Sequence, residues 1–291
     1  MLLVNPSAGK SALGSSMIEI IDIFIKGGYV VETVVTQSVD HLKDTVACRG
    51  ADFDVIVCCG GDGTLSLTCT ALLEVDKDSR PALGYIPCGT TNDCAKTRGI
   101  SSDPEKAAKQ IVNGDEHIID VGFFGERPYI YVAAFGVFSD VSYATSRSLK
   151  KAIGHAAYVL GGIKALAHIK SYHIKFEING ETVEDDFIYG MVSNTMRVGG
   201  FKLPLFKKFS LDDGLIDITL VRKPKGIKAR SRLVNSLIKQ KSNGVELMQY
   251  QADSFSYECT KEIPWTLDGE FGGDHKEKEV KIVGGLVKMR Y

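Results

Sequence analysis

The chain contains 291 residues, of which 35 are basic, 36 are acidic and 44% are hydrophobic. This length is enough for two domains, and a net charge of −1 does not favour a dedicated nucleic-acid binder. Seven cysteines without a C-x-x-C pair predict neither a zinc site nor a disulfide framework, which favours a reducing cytosol.

Strands and helices are predicted to alternate through the first 115 residues. Short apolar runs predict strands at residues 1–4, 29–36, 53–59 and 82–86. Four helices are predicted. The first has Met17, Ile20, Ile21 and Phe24 on one face, and the second spans residues 39–49. The third directly follows residue 64, and the fourth begins at Asp103-Pro104. The alternation predicts an α/β domain with a mostly parallel sheet, whose ligands lie beyond the carboxyl ends of the strands.

From about residue 117 the pattern changes to a series of short strands. They are predicted at residues 118–124, 129–137, 172–178, 187–193, 215–221, 255–259 and 280–283. Asn179-Gly180 is a strong hairpin signal, and two helices are predicted at residues 150–169 and 227–240. The second half therefore predicts an antiparallel β domain with helical insertions.

The longest apolar stretch, residues 156–169, is interrupted by glycines, Lys164 and His168 and is too short to span a bilayer. No secretory signal is predicted either, because strand-like residues begin at the N-terminus. Any membrane contact is therefore expected to be peripheral. Residues 156–169 are explained at least as well by an ordinary core helix as by the wall of an apolar channel.

Three polar loops follow predicted strands of the first half, at residues 5–10, 60–64 and 89–93. Their glycines allow positive φ or a close approach to the main chain, and amides at a helix start form an anion site. The G-x-G-x-x-G fingerprint fails at Ser66, and the P-loop pattern fails because Val4 stands where it needs glycine. The alternatives are a solvated Lys10 after a turn for the first loop, a plain tight turn for the second, and N-capping by threonine or aspartate for the third.

The second loop also carries Asp62, and a carboxylate beside a phosphate is unfavourable unless a cation lies between them. This combination suggests a nucleotide with Mg²⁺. Asp93 in the third loop and Asp120 at the end of the next strand are further acidic candidates, with helix capping and a turn as their alternatives.

Two acidic turns stand out in the second half. Residues 211–215 place two aspartates before Gly214, which fits a cation site or an ordinary turn. Further on, Asp268 and Glu270 flank Gly269 in an apolar context. One carboxylate could serve as a general base while the other orients it or holds Mg²⁺, and a charged hairpin loop is the alternative.

The ordered set of motifs resembles the diacylglycerol kinase catalytic-domain family, in its bacterial soluble lipid kinase branch. The motifs are NPSAGK at residues 5–10, GGDGT at 60–64, GTTND at 89–93, DGL at 213–215 and LDGE at 267–270. The resemblance implies an N-terminal α/β domain, NAD kinase- and phosphofructokinase-like, at residues 1–117. It implies a C-terminal β-sandwich domain with helical insertions at residues 118–291.

The resemblance also implies roles for individual residues. The ATP-binding residues it implies are Asn5, Ser7, Gly9, Lys10, Thr36, Gly60, Gly61, Asp62, Gly63, Thr64, Thr90 and Asn92. It implies a structural Mg²⁺ site formed by Asp213 with the backbone carbonyls of Ser210 and Leu215. Asp62, Asp93 and Asp120 remain the candidates for Mg²⁺ beside the nucleotide, bound directly or through water. Glu270 is the implied proton acceptor, with Asp268 and Asp62 as competing catalytic candidates.

The expected function is therefore ATP-dependent phosphoryl transfer to a lipid hydroxyl, most simply that of diacylglycerol, giving phosphatidic acid. The alternatives are a sphingoid base, another lipid or NAD as the acceptor, or a nucleotide-binding regulator that turns nothing over. The expected location is the cytoplasm, peripheral at the inner membrane surface. Formation of a homodimer stays open.

Overall fold

The protein is described here from a computed structural model. The structure describes residues 1–8, 12–136, 169–195, 197–198, 201–202, 212–239 and 241–291. The helix predicted over residues 150–169 lies outside this part of the chain, except for Ile169. Among the described residues, no helix combines the length and the apolar character needed to cross a bilayer.

The first half forms four parallel strands with helices between them. The strands are β1 (Leu2–Val4), β2 (Thr33–Val35), β3 (Val55–Gly60) and β4 (Ala82–Pro87). The helices are α1 (Ala12–Lys26), α2 (Val39–Arg49), α3 (Asp62–Leu72), α4 (Asp93–Arg98) and α5 (Pro104–Asn113). The strands lie in the order β2-β1-β3-β4. The alternation and the parallel pairing predicted from the sequence are both present.

Burial explains these elements. Every residue of β3 and β4 is buried, which is typical of strands covered on both faces. Helix α5 begins as predicted, with the Asp103 carboxylate accepting from the Glu105 and Lys106 amides and Pro104 in the first turn. The predicted strand at 29–36 is reduced to β2, which lies at the edge of the sheet.

The second half is built from antiparallel strands. They are β5 (Glu116–Phe124), β6 (Arg127–Tyr129), β7 (Val132–Gly136), β8 (Tyr172–Ile178), β9 (Glu181–Ser193), β10 (Arg197–Val198), β11 (Phe201–Lys202), β12 (Ile216–Arg222), β13 (Leu247–Ala252), β14 (Ser254–Leu267) and β15 (Glu270–Arg290). Helix α6 (Gly226–Lys239) joins β12 to β13. Strand β13 is not among the strands predicted from the sequence, although Met248, Tyr250 and Ala252 alternate towards the core.

The two long strands β9 and β14 each pair with two other strands and so enclose a second hydrophobic core. One end of β9 and one end of β14 pair with β8, and their other ends pair with β7. Register shifts in both strands accompany the change of partner, as β-bulges do when a strand bends. The enclosed core centres on Trp265, which packs against Phe124, Phe135 and Tyr257.

Strand β15 connects the two halves of the molecule. It pairs with β14 and β5 in antiparallel fashion, and its last residues, Met289 and Arg290, pair with β4 in parallel. The sequence pattern predicts only residues 280–283 of this strand, because two Gly-Gly pairs and a charged run interrupt its apolar pattern. The predicted domain boundary after residue 117 falls inside β5 and stays a prediction.

Candidate active site

The three polar loops lie together at the carboxyl edge of the parallel sheet. They follow β1, β3 and β4, which are neighbours in the sheet. Strand order reverses between β1 and β3, because β2 lies on one side of β1 and β4 on the far side of β3. Open α/β sheets bind their ligands at such a switch point.

The first and second loops are joined by Asn5. Its side-chain amide donates to the Thr64 hydroxyl at 2.9 Å, and its side-chain oxygen accepts from the Ser7 amide at 2.9 Å. Thr36, another expected nucleotide ligand, is buried and donates its hydroxyl to the Val4 carbonyl at 3.2 Å. Gly9 and Lys10 lie outside the described residues.

The second and third loops are joined by Asp62, the first residue of α3. Its carboxylate accepts from the Thr91 hydroxyl at 3.1 Å and from the amides of Asp93 and Cys94 at 3.0 and 3.2 Å. Asp62 therefore caps α4 from outside that helix. The same contacts place Asp62 and Asp93, two of the candidate metal ligands, next to each other.

Glycine at positions 61 and 89 lets the second and third loops touch through their backbones. A Cβ at Gly89 would lie 2.6 Å from the Gly61 Cα, and a Cβ at Gly61 would lie 3.2 Å from the Gly89 Cα. Gly60, Gly61, Gly63 and Gly89 are all outside the positive-φ region. Close approach, rather than a left-handed backbone, explains why glycine is needed at positions 61 and 89.

The amino end of α3 is open at the same edge. Gly61 occupies its N-cap position and no side chain caps the helix, while a Cβ at Gly63 would meet no atom within 4 Å. The first amides of a helix have no partner within it, so this end can accept an anion.

The third loop is closed by Asn92, which has a left-handed backbone with φ of 49°. Its side-chain oxygen accepts from the Gly89 amide at 2.9 Å, and its side-chain nitrogen donates to the Gly89 carbonyl at 3.0 Å. Thr90, at the tip of the same loop, is exposed. Asn92 therefore shapes the loop, and Thr90 is open to a ligand.

A buried carboxylate from the second half lies beside this cluster. Asp268 occupies the turn between β14 and β15, and its carboxylate accepts from the Ser66 hydroxyl at 2.5 Å. It also accepts from three consecutive amides, those of Ile130, Tyr131 and Val132, at 2.7, 3.0 and 3.0 Å. Four donors thus hold Asp268 between α3 and the segment that leads into β7.

Burial raises the pKa of Asp268, and the hydrogen bonds from Ser66 and the three amides act in the opposite direction. Both carboxylate oxygens already have two donors each. Asp268 is therefore better suited to positioning its neighbours than to accepting a substrate proton. Its predicted catalytic role stays a prediction.

Glu270 lies two residues further on and has a different environment. Leu267 and Glu270 are paired across the turn, and Asp268 and Gly269 both have left-handed backbones. This is the geometry of a two-residue type I′ turn. Glu270 is exposed, so of the two carboxylates in the LDGE motif it is the one that a substrate can reach.

Asp120 contacts the second acidic turn instead. Its carboxylate accepts from the Gly214 amide at 3.0 Å, and burial raises its pKa, with Asp212 and Asp213 adding to the rise. Asp213 is exposed and accepts from the Leu215 amide at 3.1 Å. Ser210, the third predicted residue of this site, lies outside the described residues.

Sequence reasoning missed three residues that build the site. Ser66 and Tyr131 both bind Asp268, the first through its carboxylate and the second through a hydroxyl donated to its carbonyl at 2.7 Å. Thr91 binds Asp62. Ser66 and Thr91 stood in or beside the glycine loops, whereas no pattern in the sequence singled out Tyr131.

Two family models match consecutive parts of the chain. The diacylglycerol kinase catalytic domain matches residues 1–124, and the YegS C-terminal NAD kinase beta sandwich-like domain matches residues 132–289. The chain belongs to the diacylglycerol kinase catalytic-domain family. Membership supports a kinase of this superfamily, and it confirms the family predicted from the ordered motifs.

Individual members of the family cover almost the same length. Diacylglycerol kinase of Bacillus subtilis (strain 168) is 29% identical over 276 residues, which are 94% of this chain and 89% of the relative. Diacylglycerol kinase of Staphylococcus carnosus (strain TM300) is 26% identical over 273 residues, 94% of this chain and 88% of the relative.

Solved structures show the same fold. A Bacillus anthracis (strain Sterne) protein proposed to be a diacylglycerol kinase aligns with a TM-score of 0.83 at 25% identity, covering 100% of this chain and 95% of its own. An Archaeoglobus fulgidus NAD kinase, solved in complex with ATP, aligns with a TM-score of 0.51 at 11% identity, covering 100% and 92%. The predicted NAD kinase-like α/β domain with a C-terminal β-sandwich is confirmed.

Proposed function

We propose that this family member is an ATP-dependent lipid kinase that phosphorylates a lipid hydroxyl, with diacylglycerol as the acceptor and phosphatidic acid as the product. The observation that carries the proposal is the spacing of two contacts on α3. Asp62 joins the polar loops, and Ser66, four residues later, binds the turn that bears Glu270. Four residues of an α-helix rise about 6 Å along its axis, so both contacts start from adjacent turns of α3.

We assign the nucleotide phosphates to the open end of α3 and the loops around it. The amides of residues 60–64 are the donors closest to that end, and Lys10 supplies a positive charge from the first loop. The exposed Thr90 completes this set. Asn5, Thr36 and Asn92 act mainly by fixing the loops, since their side chains already bind protein atoms.

The donor chemistry fits Mg²⁺ bound together with the nucleotide. The Asp62 carboxylate lies against the Asp93 backbone amide, and Mg²⁺ is commonly held by one or two carboxylates, substrate phosphates and water. Among the described residues, no group of three acidic, histidine or cysteine side chains could hold a metal alone. When bound, the ion would neutralise phosphate charge. The 210–215 turn is a separate proposed Mg²⁺ site.

In the proposed reaction the lipid hydroxyl oxygen forms a bond to the γ-phosphorus, and the bond from that phosphorus to the bridging oxygen of ADP breaks. The hydroxyl proton passes to Glu270. Asp268 holds the turn in place, because its four hydrogen bonds fix the backbone next to Glu270. Such catalysis depends mainly on positioning and charge stabilisation. We also propose a cytoplasmic enzyme in peripheral contact with the membrane.

The deciding experiment is ATP-dependent phosphate transfer to a panel of acceptors in neutral mixed micelles. The panel contains diacylglycerol, a sphingoid base and NAD, with a control that lacks any acceptor. Labelled phosphatidic acid supports the proposal, and transfer to the sphingoid base alone keeps a lipid kinase but changes the substrate. Transfer to NAD alone, or binding of ATP without transfer, contradicts it.

Asp62→Asn supplies the matched test of the nucleotide site. The amide keeps the size of the side chain but removes the charge that would face Mg²⁺. We expect turnover to fall by more than about 100-fold, together with a loss of about 1 kcal/mol in stability because the new NH₂ group faces one of the three donors to Asp62. Full activity in a folded variant would contradict the assignment.

A further inference from the structure

The segment around α6 has an unusual charge. Residues 218–245 contain no aspartate or glutamate, whereas residues 222–241 contain eight lysines and arginines. The chain as a whole has a net charge of −1, so the remainder is clearly acidic. A dense basic segment on a chain whose remainder is net acidic gives the surface around α6 a local positive charge.

Helix α6 is apolar on two opposite sides. Its inner side buries Ala229, Leu233 and Ser236. Ile227, Val234 and Ile238 follow at spacings of seven and four residues and form a stripe on the opposite side. Ile227 is 71% exposed and Ile238 is 49% exposed. An apolar stripe that faces water costs free energy, so it indicates a partner.

Basic side chains border this outer stripe. Lys228 and Lys239 lie along one edge, and Arg230 lies towards the other. Of the carboxylates that the structure describes, none pairs with Lys228 or Lys239. Arg232, in contrast, is tied to the buried Glu246 and belongs to the fold. An exposed apolar stripe between free cations is typical of a helix that lies in the interface of an anionic bilayer.

The inner side of α6 is connected to the candidate active site. Leu233 belongs to a buried cluster with Ile188, Val221 and Leu247. Tyr189 packs against this cluster and also against a second one that contains Val132. The Val132 amide in turn binds Asp268. A surface that docks through α6 is therefore joined to the site by a short series of packed side chains.

We propose that the outer face of α6, made of Ile227, Val234, Ile238, Lys228 and Lys239, is the surface by which the protein docks on anionic lipid bilayers. This inference rests on the proposed lipid kinase function, because a bilayer is where such an enzyme meets its acceptor. A second copy of the chain fits less well, since a symmetric contact would place these cations against each other. Nucleic acid fits less well because the centre of the face is apolar.

The test is sedimentation with vesicles of phosphatidylcholine alone and of phosphatidylcholine mixed with phosphatidylglycerol. Wild-type protein is expected to bind only the mixed vesicles, and added salt is expected to weaken binding. Lys228→Glu/Lys239→Glu and Ile227→Ser/Ile238→Ser should each reduce binding about tenfold or more, because charges and buried apolar area both contribute.

The matched control is Ile18→Ser/Ile25→Ser on α1. These isoleucines are 80% and 56% exposed and lie seven residues apart, but their exposed neighbours include Glu19 and Asp22. The control variant should bind mixed vesicles like wild type. Equal losses in the control, unchanged binding in both α6 variants, or a dimer that Ile227→Ser/Ile238→Ser dissociates would each overturn the proposal.

Activity assays separate this proposal from the lipid kinase proposal. With short-chain diacylglycerol in neutral detergent micelles, both α6 variants should transfer phosphate at the wild-type rate. On anionic vesicles they should be about tenfold slower. If wild type transfers nothing in micelles, the kinase proposal fails while vesicle binding is still measured directly. If the variants match wild type on vesicles, only the docking proposal is contradicted and the kinase proposal stands.

Discussion

Two turns in this molecule have the same backbone and different surroundings. Asn179-Gly180 joins β8 to β9, with φ values of 53° and 78°, and Asp268-Gly269 joins β14 to β15, with φ values of 51° and 89°. Asn179 makes one exposed hydrogen bond, from its side-chain nitrogen to the Gln251 carbonyl. Asp268 is buried among four donors. A dipeptide thus determines the turn, while distant segments determine what its side chain does.

The largest effect is expected when the first residues of the two turns are exchanged. Asp268→Asn keeps the left-handed backbone but places an NH₂ group against donors, so at least one buried N–H or O–H loses its acceptor. We expect a loss of about 3 kcal/mol in the free energy of unfolding, measured with urea, together with loss of phosphate transfer.

The reciprocal variant, Asn179→Asp, is the control for this exchange. Its side chain is exposed and aspartate tolerates the same backbone, so losing the exposed hydrogen bond to the Gln251 carbonyl should cost no more than about 1 kcal/mol. Similar losses of stability in the two variants would show that the turn backbone, not its surroundings, dominates.

Glu270→Gln tests whether Glu270, rather than Asp268, is the general base. Glu270 is exposed and its replacement leaves every hydrogen bond of Asp268 in place. We expect the rate of transfer to fall about 100-fold or more, because a general base contributes at least this much, while the unfolding midpoint is unchanged. Retention of transfer would return the role of base to Asp268 or Asp62.

A side-chain hydroxyl donates to a carboxylate near each of the two turns, and removing it is expected to change stability less than the exchange at Asp268. Ser66→Ala removes one of four donors to the buried Asp268 and should cost about 1.5 kcal/mol, because the hydrogen bond serves a charged acceptor away from water. Thr182→Ala removes the exposed hydroxyl that binds Glu177 at 2.9 Å and should cost almost nothing. Urea unfolding of both variants measures the difference. Equal costs would contradict the importance of burial.

The same contrast explains what the sequence could predict. Local patterns predicted the first-half strands, the Asp103-Pro104 helix start and the Asn179-Gly180 hairpin, because each depends on neighbouring residues. The partners of Asp268 could not be predicted, since Ser66 lies 202 positions away and the Ile130, Tyr131 and Val132 donors are backbone amides. Most of β15 was missed for a related reason: its pairing with β14, β5 and β4 compensates for interior glycines.

The smallest effect is expected from His173 in the β8–β9 hairpin. Its ring nitrogens each lie 3.1 Å from a carboxylate oxygen, one of Asp186 and one of Glu184, and these partners raise the pKa of His173 above its ordinary value of 6.5. A raised pKa in the folded state means that protonation stabilises the fold. This contribution is fully present below pH 6.5 and is lost as the pH rises through the raised pKa. His173→Gln should therefore lower the urea midpoint slightly in acid and not at all in alkaline buffer. A difference that does not depend on pH would show that the ring, rather than its charge, supports the hairpin.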